Sequence, residues 1–328
     1  VFSAPFREGS NLIYFGPGVH NLPNDTLFVP SGTTVYIDGG ARVYGNIFTE
    51  GAHDVNIFGR GEVHPDGRGA GVWVRRSKNV RIDGIVVSQL PIGQCDSVEL
   101  TNVKSISYYG WGDGMDVFSS SNVILDGVFC RNSDDCAAVY ASTQGFKGGS
   151  NNVLVKNATL WADVAHPINI GGHGDPNGMD TVQNVTFRNI DILDQAEKQV
   201  DYQGCLAINP GDNTLVRNIT FENIRIEDFR NGQLVNFRIS FNPKYCVSTG
   251  RGIQNVLVKD VTYNGSGENL SIIAGYDENH KISGIRFVNL VVNGRKITDD
   301  MPGKPKWYKT GDMAGIFVGE HVENLSFE

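Results

Sequence analysis

One phrase recurs along the chain: a polar residue or Asn, three alternating residues, a corner of Asn or Gly, then three more alternating residues. It reads HDVNIFGRGEV at 53–63, KNVRIDGIVV at 78–87, NVILDGVF at 122–129 and NNVLVKNATL at 151–160. It continues as QNVTFRNIDI at 183–192, RNITFENIRI at 217–226, QNVLVKDVTY at 254–263, SGIRFVNLVV at 283–292 and ENLSF at 323–327. Alternation sends Val, Ile, Leu and Phe to one face of each short strand. The corner Asn or Gly tolerates the left-handed backbone that a bend between strands requires. A unit of this size cannot bury its apolar face alone, so successive units must stack. The pattern predicts an all-β, right-handed, single-stranded parallel β-helix, one solenoid domain over 1–328 with no linker. A short capping helix has room in the opening segment. Inserts at 141–150, 171–181, 196–216 and 241–252 are expected to emerge as loops on one face.

Composition narrows the function classes. Of 328 residues, 40 are Gly and 12 are Pro, which suits a turn-rich β protein and no collagen-like or linker sequence. A formal net charge of −8 without a basic tract argues against a nucleic-acid partner. No apolar run approaches the roughly 18 residues of a membrane span. The chain starts at Val1 rather than Met, which reads as a processed or excised fragment. The five cysteines (Cys95, Cys130, Cys136, Cys205, Cys246) have no zinc-type spacing, and the closeness of Cys130 and Cys136 marks them as the pair to examine. Asn-x-Ser/Thr sequons at Asn24, Asn157, Asn184, Asn218, Asn264, Asn269 and Asn324 suit a secreted protein, although the repeat itself supplies most of them.

The candidate chemistry lies in DGMDVFSSSNVILDGVFCRNSDDCAAVY, residues 113–140. Asp113 and the adjacent pair Asp134 and Asp135 stand about one coil apart, so stacking brings them side by side. Paired carboxyls whose pKa values are driven apart are the working parts of glycosidases. The alternative is that Asp-Gly and Ser-Asp-Asp are ordinary turn residues. Asp116 and Asp126 read as turn or strand-end residues. Tyr108, Tyr109, Trp111 and Tyr140 bracket the acids, and flat rings suit the apolar faces of sugars.

These residues resemble the right-handed parallel β-helix glycoside hydrolases, a group that includes family 28 polygalacturonases and family 49 dextranases and isopullulanases. The quoted matches are GWGDGMD around Asp113, NSDDCAAVY around Asp134 and Asp135, AHPINIGG around His166 with a literal Gly-His-Gly at His173, and FRIS around Arg238. Ser240 stands where polygalacturonases carry a Lys that grips a uronate. That departure and the acidic charge favour the family 49 group and a neutral α-glucan such as dextran or pullulan. That group usually carries a further N-terminal β-sandwich, so the resemblance implies either a fragment that lacks it or a shorter branch.

Carried over, the resemblance makes Asp134 the general acid, with Asp113 and Asp135 holding the attacking water. It implies inversion, with acid and base carboxyls roughly 6.5–9.5 Å apart. His166, or His173 in its place, would orient an acid. Arg238, Trp111, Tyr140 and Tyr109 would contact sugar, with a structural ion pair the other reading of Arg238. No metal or cofactor is implied, and the expected partner is a polysaccharide met by a secreted or periplasmic monomer. The rivals are a uronide hydrolase, a Ca²⁺-dependent β-helix lyase and a non-catalytic glycan-binding solenoid.

Overall fold

The computed structural model describes residues 11–267 and 269–328. Strands pair in parallel with their counterparts one coil away, and the only antiparallel ladder among the named strands joins Ile282–Val292 to Arg295–Ile297. The coils form the right-handed parallel β-helix expected from the repeat. Among the described residues, the opening segment from 11 onward carries the strands Leu12–Phe15 and Gly18–Phe28 rather than a helix. Among the described residues the only helical elements are short 3₁₀ turns at Val200–Tyr202 and Thr310–Ala314.

The repeated phrase builds the core directly. Its first apolar position stacks in register as Val55, Val80, Val98, Val123, Val153, Val185, Ile219, Val256, Ile285 and Leu325. The next inward position runs Ile57, Ile82, Leu100, Leu125, Val155, Phe187, Phe221, Val258, Phe287 and Phe327 along the same pairings. Each fully buried side chain of this kind contributes about 1.5–3 kcal/mol relative to exposure.

The corners explain the asparagines. Asn102, Asn157, Asn189, Asn223, Asp260 and Asn289 all have φ between 53° and 57°. Their side chains link neighbouring coils: Asn189 Nδ2 donates to Asn157 Oδ1 at 2.7 Å and Asn223 Nδ2 to Asn189 Oδ1 at 3.3 Å. A second ladder joins Asn152 to Asn122 at 2.7 Å and Asn218 to Asn184 at 3.2 Å. The sequon residues Asn157, Asn184 and Asn218 are therefore corner residues with committed side chains.

Each coil presents three faces. One carries the short strands Met115–Phe118, Ala137–Tyr140, Ile168–Ile170, Leu206–Ile208 and Val235–Arg238, paired in that order. Inward residues such as Met115, Val117, Ile168 and Phe237 join the core, so alternation turns Asp116, Ala138, Asn169 and Asn236 outward. The segments entering these strands, 107–114, 133–136, 163–167 and 196–205, line one edge of this face. The segments leaving them, 141–149, 171–180, 209–214 and 239–251, line the other. The predicted inserts thus flank one face, except that 196–216 is not a single loop: the strand Leu206–Ile208 divides it, and its last two residues open the strand Leu215–Ile226. All five cysteines are free thiols, and the Cys136 thiol contacts the Cys130 carbonyl at 3.9 Å rather than its sulfur.

Candidate active site

Asp134 and Asp135 sit on the corner between the strands Phe129–Asn132 and Ala137–Tyr140, which lets adjacent residues converge instead of pointing to opposite faces. Asp113 ends the equivalent segment one coil earlier. The two segments are stitched together: Gly114 N donates to the Asp135 carbonyl at 2.7 Å, and Asn132 Nδ2 donates to the Asp113 carbonyl at 3.1 Å. A Cβ on Gly114 would lie 2.2 Å from the Cys136 carbonyl oxygen, so the contact excludes any side chain there. This is the physical content of the Asp-Gly pair.

As a result, one carboxylate oxygen from each of Asp113, Asp134 and Asp135 lies within 4.8 Å of the others. A water bonded to two carboxylates at about 2.8 Å each, at a tetrahedral angle, spans roughly 4.6 Å. The same three oxygens are close enough to ligate one divalent cation at about 2.3–2.6 Å.

The acids are not equivalent. Asp135 is buried, and its Oδ1 accepts from His166 N at 3.0 Å and His166 Nδ1 at 2.7 Å. Its Oδ2 accepts from Tyr140 Oη at 2.5 Å, Asn169 Nδ2 at 2.8 Å and Tyr202 Oη at 3.5 Å. Burial opposes its charge, but the His166 imidazole and these hydrogen bonds hold the carboxyl below its usual range. Five donors saturate a carboxylate that has about four acceptor sites. Asp134, by contrast, is pushed up to about 7 by burial and by the neighbouring Asp135 charge. Burial, with Asp134 and Asp135, drives Asp113 well above its usual value. One fixed anion and one carboxyl protonated near neutrality are what acid-assisted cleavage of a glycosidic bond needs.

Burial keeps the other predicted residues in distinct roles. His166 is fully buried on Asp135 and packed edge-to-face on Tyr202 at 4.3 Å, a position from which it can orient that acid. His173 packs edge-to-face on Tyr140 at 5.1 Å and lines the adjoining pocket, with its pKa lowered by burial. Tyr140 is not a stacking platform; it is buried and spends its hydroxyl on Asp135. The Tyr109 hydroxyl donates to Gly69 O at 2.6 Å, and with Tyr108 it lines a groove that also holds His64 and Ser88. Trp111 is 67% exposed at the rim beside Asp113.

Arg238 ends the strand Val235–Arg238 on the same outward face, and its guanidinium has no ion pair or side-chain hydrogen bond among the described residues. Among the described residues the structure shows no ion pair for Arg238, so the structural ion-pair reading gains no support there.

Sequence reasoning missed several residues. Asp116 is not a turn residue: it lies mid-strand, 4% exposed, with Oδ1 unpartnered, and burial followed by Asp113, Asp135 and Asp134 raises its pKa well above the usual. Its place two residues after Gly114, alternating with core Met115 and Val117, was the available signal. Tyr202 and Glu197 come from the 196–205 segment, which carries no repeat, and Asn169 is the outward residue of Ile168–Ile170.

Residues 70–302 match the sequence profile of glycosyl hydrolases family 28. The chain belongs to that family. An exopolygalacturonase of Cochliobolus carbonum is 24% identical over 246 residues, which cover 64% of this chain and 52% of the relative. The chain spans about half the length of the curated relatives it matches. Among solved structures, a family 28 exopolygalacturonase of Yersinia enterocolitica superposes with a TM-score of 0.68 at 13% identity, covering 96% of this chain and 72% of the other. Dex49A from Penicillium minioluteum gives 0.64 at 14% identity, covering 97% and 60%. At such identities the structures speak for fold alone. The family match is to 28, and the likeness to the dextranase group is carried by the β-helix.

The split titration gives a first prediction. If Asp134 must carry a proton, kcat/KM should fall as pH rises through about 7, because the acid is then ionised before substrate binds. A pH profile of initial rates checks this; a rate that holds level to pH 9 would remove Asp134 from the acid role.

Proposed function

We propose that the protein hydrolyses a uronide polysaccharide of the polygalacturonate type, with inversion at the anomeric carbon. The observation that carries the catalytic part is the opposite displacement of two adjacent carboxyls, Asp134 up and Asp135 down, within one cluster. Asp134 protonates the departing glycosidic oxygen. Asp113 takes a proton from a water held between it and Asp135 in the form of the site in which Asp113 is ionised and Asp134 carries the proton; its raised pKa makes it the more basic of the two carboxylates beside the water. Asp135 is already saturated, so it supplies fixed charge rather than basicity.

The substrate class is supported by the family and by relatives named as polygalacturonases. The uncommitted Arg238 guanidinium suits a sugar carboxylate, which it can grip through two parallel hydrogen bonds. Arg238→Ala is expected to raise KM for polygalacturonate by about 10-fold or more, the scale of a lost charge-assisted hydrogen bond, with a smaller effect on kcat. Steady-state kinetics check it; an unchanged KM would detach Arg238 from the substrate. A polymer of this size is met outside the cytoplasm, so the proposed location is extracellular or periplasmic.

A second reading, a neutral α-glucan, is favoured by Ser240, which lines the pocket and carries no charge. Reducing-end release from polygalacturonate, dextran and pullulan, each with and without a chelator, separates the two. The uronide reading expects release from polygalacturonate alone, unaffected by the chelator. Release from dextran alone would restore the glucan reading, and abolition by the chelator would point to a cation held by the three carboxylates.

A further inference from the structure

The two edges of the acidic face touch each other across it. The 196–205 segment enters the strand Leu206–Ile208 on one edge, and the 239–251 segment leaves Val235–Arg238 on the other. Side chains from both meet above the sheet: Tyr245 stacks on Tyr202 with ring centroids 5.2 Å apart and planes at 22°. Beside them Lys244 Nζ donates to Gln199 Oε1 at 3.4 Å.

Both ends of this contact are anchored. Tyr202 is packed on His166 and lies 3.5 Å from Asp135 Oδ2. The other loop is pinned to its own edge, where Val247 N and Ser248 N donate to Asp212 Oδ1 at 2.8 and 3.2 Å. The Cys246 thiol donates to Gly172 O at 3.3 Å. A loop held at its base, with its tip stacked on a ring fixed to the catalytic cluster, forms a crossbar over the face.

Position decides what the crossbar does. The acids precede the strands Met115–Phe118 and Ala137–Tyr140, and the bridge spans Leu206–Ile208 and Val235–Arg238, two and three coils beyond Ala137–Tyr140. At about 4.8 Å per coil the strands under the bridge stand about 10–14 Å beyond the acids, while the Tyr202 hydroxyl reaches back to 3.5 Å from Asp135 Oδ2, so the face is covered from the acid cluster outward. Beneath it lies a pocket lined by Tyr140, Asn169, His173, Asn209 and Ser240.

We infer that the Tyr202–Tyr245 bridge closes one end of the cleft, so that the enzyme works from a chain end and releases short products rather than cutting internally. A polymer lying across the acids cannot continue past the bridge; only a terminus fits beneath it. This inference rests on the proposed reading of a polymer hydrolase. It makes Tyr245 and Tyr202 specificity-determining residues.

The test compares wild type, Tyr245→Ala and Lys244→Ala on polygalacturonate, following product sizes by chromatography and viscosity against reducing ends. Wild type is expected to give one short product from the earliest times, with little loss of viscosity at low conversion. Tyr245→Ala is expected to give a ladder of intermediate oligomers and a several-fold greater viscosity loss per bond cut, with Lys244→Ala intermediate. A ladder from wild type, or an unchanged short product from Tyr245→Ala, would overturn the inference. If wild type releases nothing, the uronide reading falls while the bridge is read by limited proteolysis of 239–251. Cutting at least 10-fold faster in Tyr245→Ala than in wild type supports the bridge, and equal rates refute it.

Discussion

Asp134→Asn is expected to lower kcat by about 10²–10⁴-fold with little change in KM, the range associated with a positioned general acid. The amide keeps the shape of the side chain and loses the transferable proton. Its effect on stability should run the other way. Asp134 is raised from 3.8 to about 7, so its contribution is fully present below pH 3.8 and is lost as pH rises through about 7. The asparagine has no charge to accommodate, so the variant should gain stability relative to wild type over that interval. Loss of activity combined with a gain at pH 8 marks a residue kept for chemistry at the expense of the fold. Initial rates and urea midpoints at pH 4 and pH 8 measure both.

Asp135→Ala should fail on both counts. Removing this carboxylate strips the acceptor from His166 Nδ1, Tyr140 Oη, Asn169 Nδ2 and the His166 amide, all in a buried setting. Breaking a buried charged network by deleting one partner costs about 3–5 kcal/mol. Activity should fall by at least as much as for Asp134→Asn, because the charge that holds the Asp134 proton is gone as well. Asp135 is depressed below 3.8, so its contribution is present above that value and disappears as pH falls through the lower folded pKa. The gap between wild type and Asp135→Ala should therefore narrow below pH 3.8. Denaturant titrations across pH 2.5–7 follow it, and a gap independent of pH would show that Asp135 is not ionised in the fold.

Much of the architecture was legible because the repeat is written in side-chain chemistry. Val at the first apolar position and Asn at the corner recur since each coil meets the same two demands: an inward branched side chain and a left-handed bend. The same logic placed Asp113, Asp134 and Asp135 together, since one coil of separation is a lateral step of about 4.8 Å. What failed to read through was whatever depends on loop paths or on burial. Asp116 looked like a turn residue because Asp-Gly precedes it, yet alternation across Met115–Val117 fixes it within a strand. Tyr140 and Tyr109 have the composition of sugar platforms, but one is buried as a donor to Asp135 and the other is tied to Gly69. Tyr202 and Tyr245 stand in inserts without periodicity, so only the folded chain brings them together. The uronide proposal reverses the weight first given to Ser240, since the family match, with an Arg238 that has no ion pair among the described residues, outweighs one missing lysine.

The most direct test of the three-carboxylate account is the anomeric configuration of the first product, read by proton NMR within the first minutes of hydrolysis. The account predicts a product whose configuration is opposite to that of the bond cleaved, formed by one displacement by the water between Asp113 and Asp135. A retained configuration would require one of the acids to act as a nucleophile. An unsaturated product would mean elimination, and either result would contradict the roles assigned to Asp113 and Asp134.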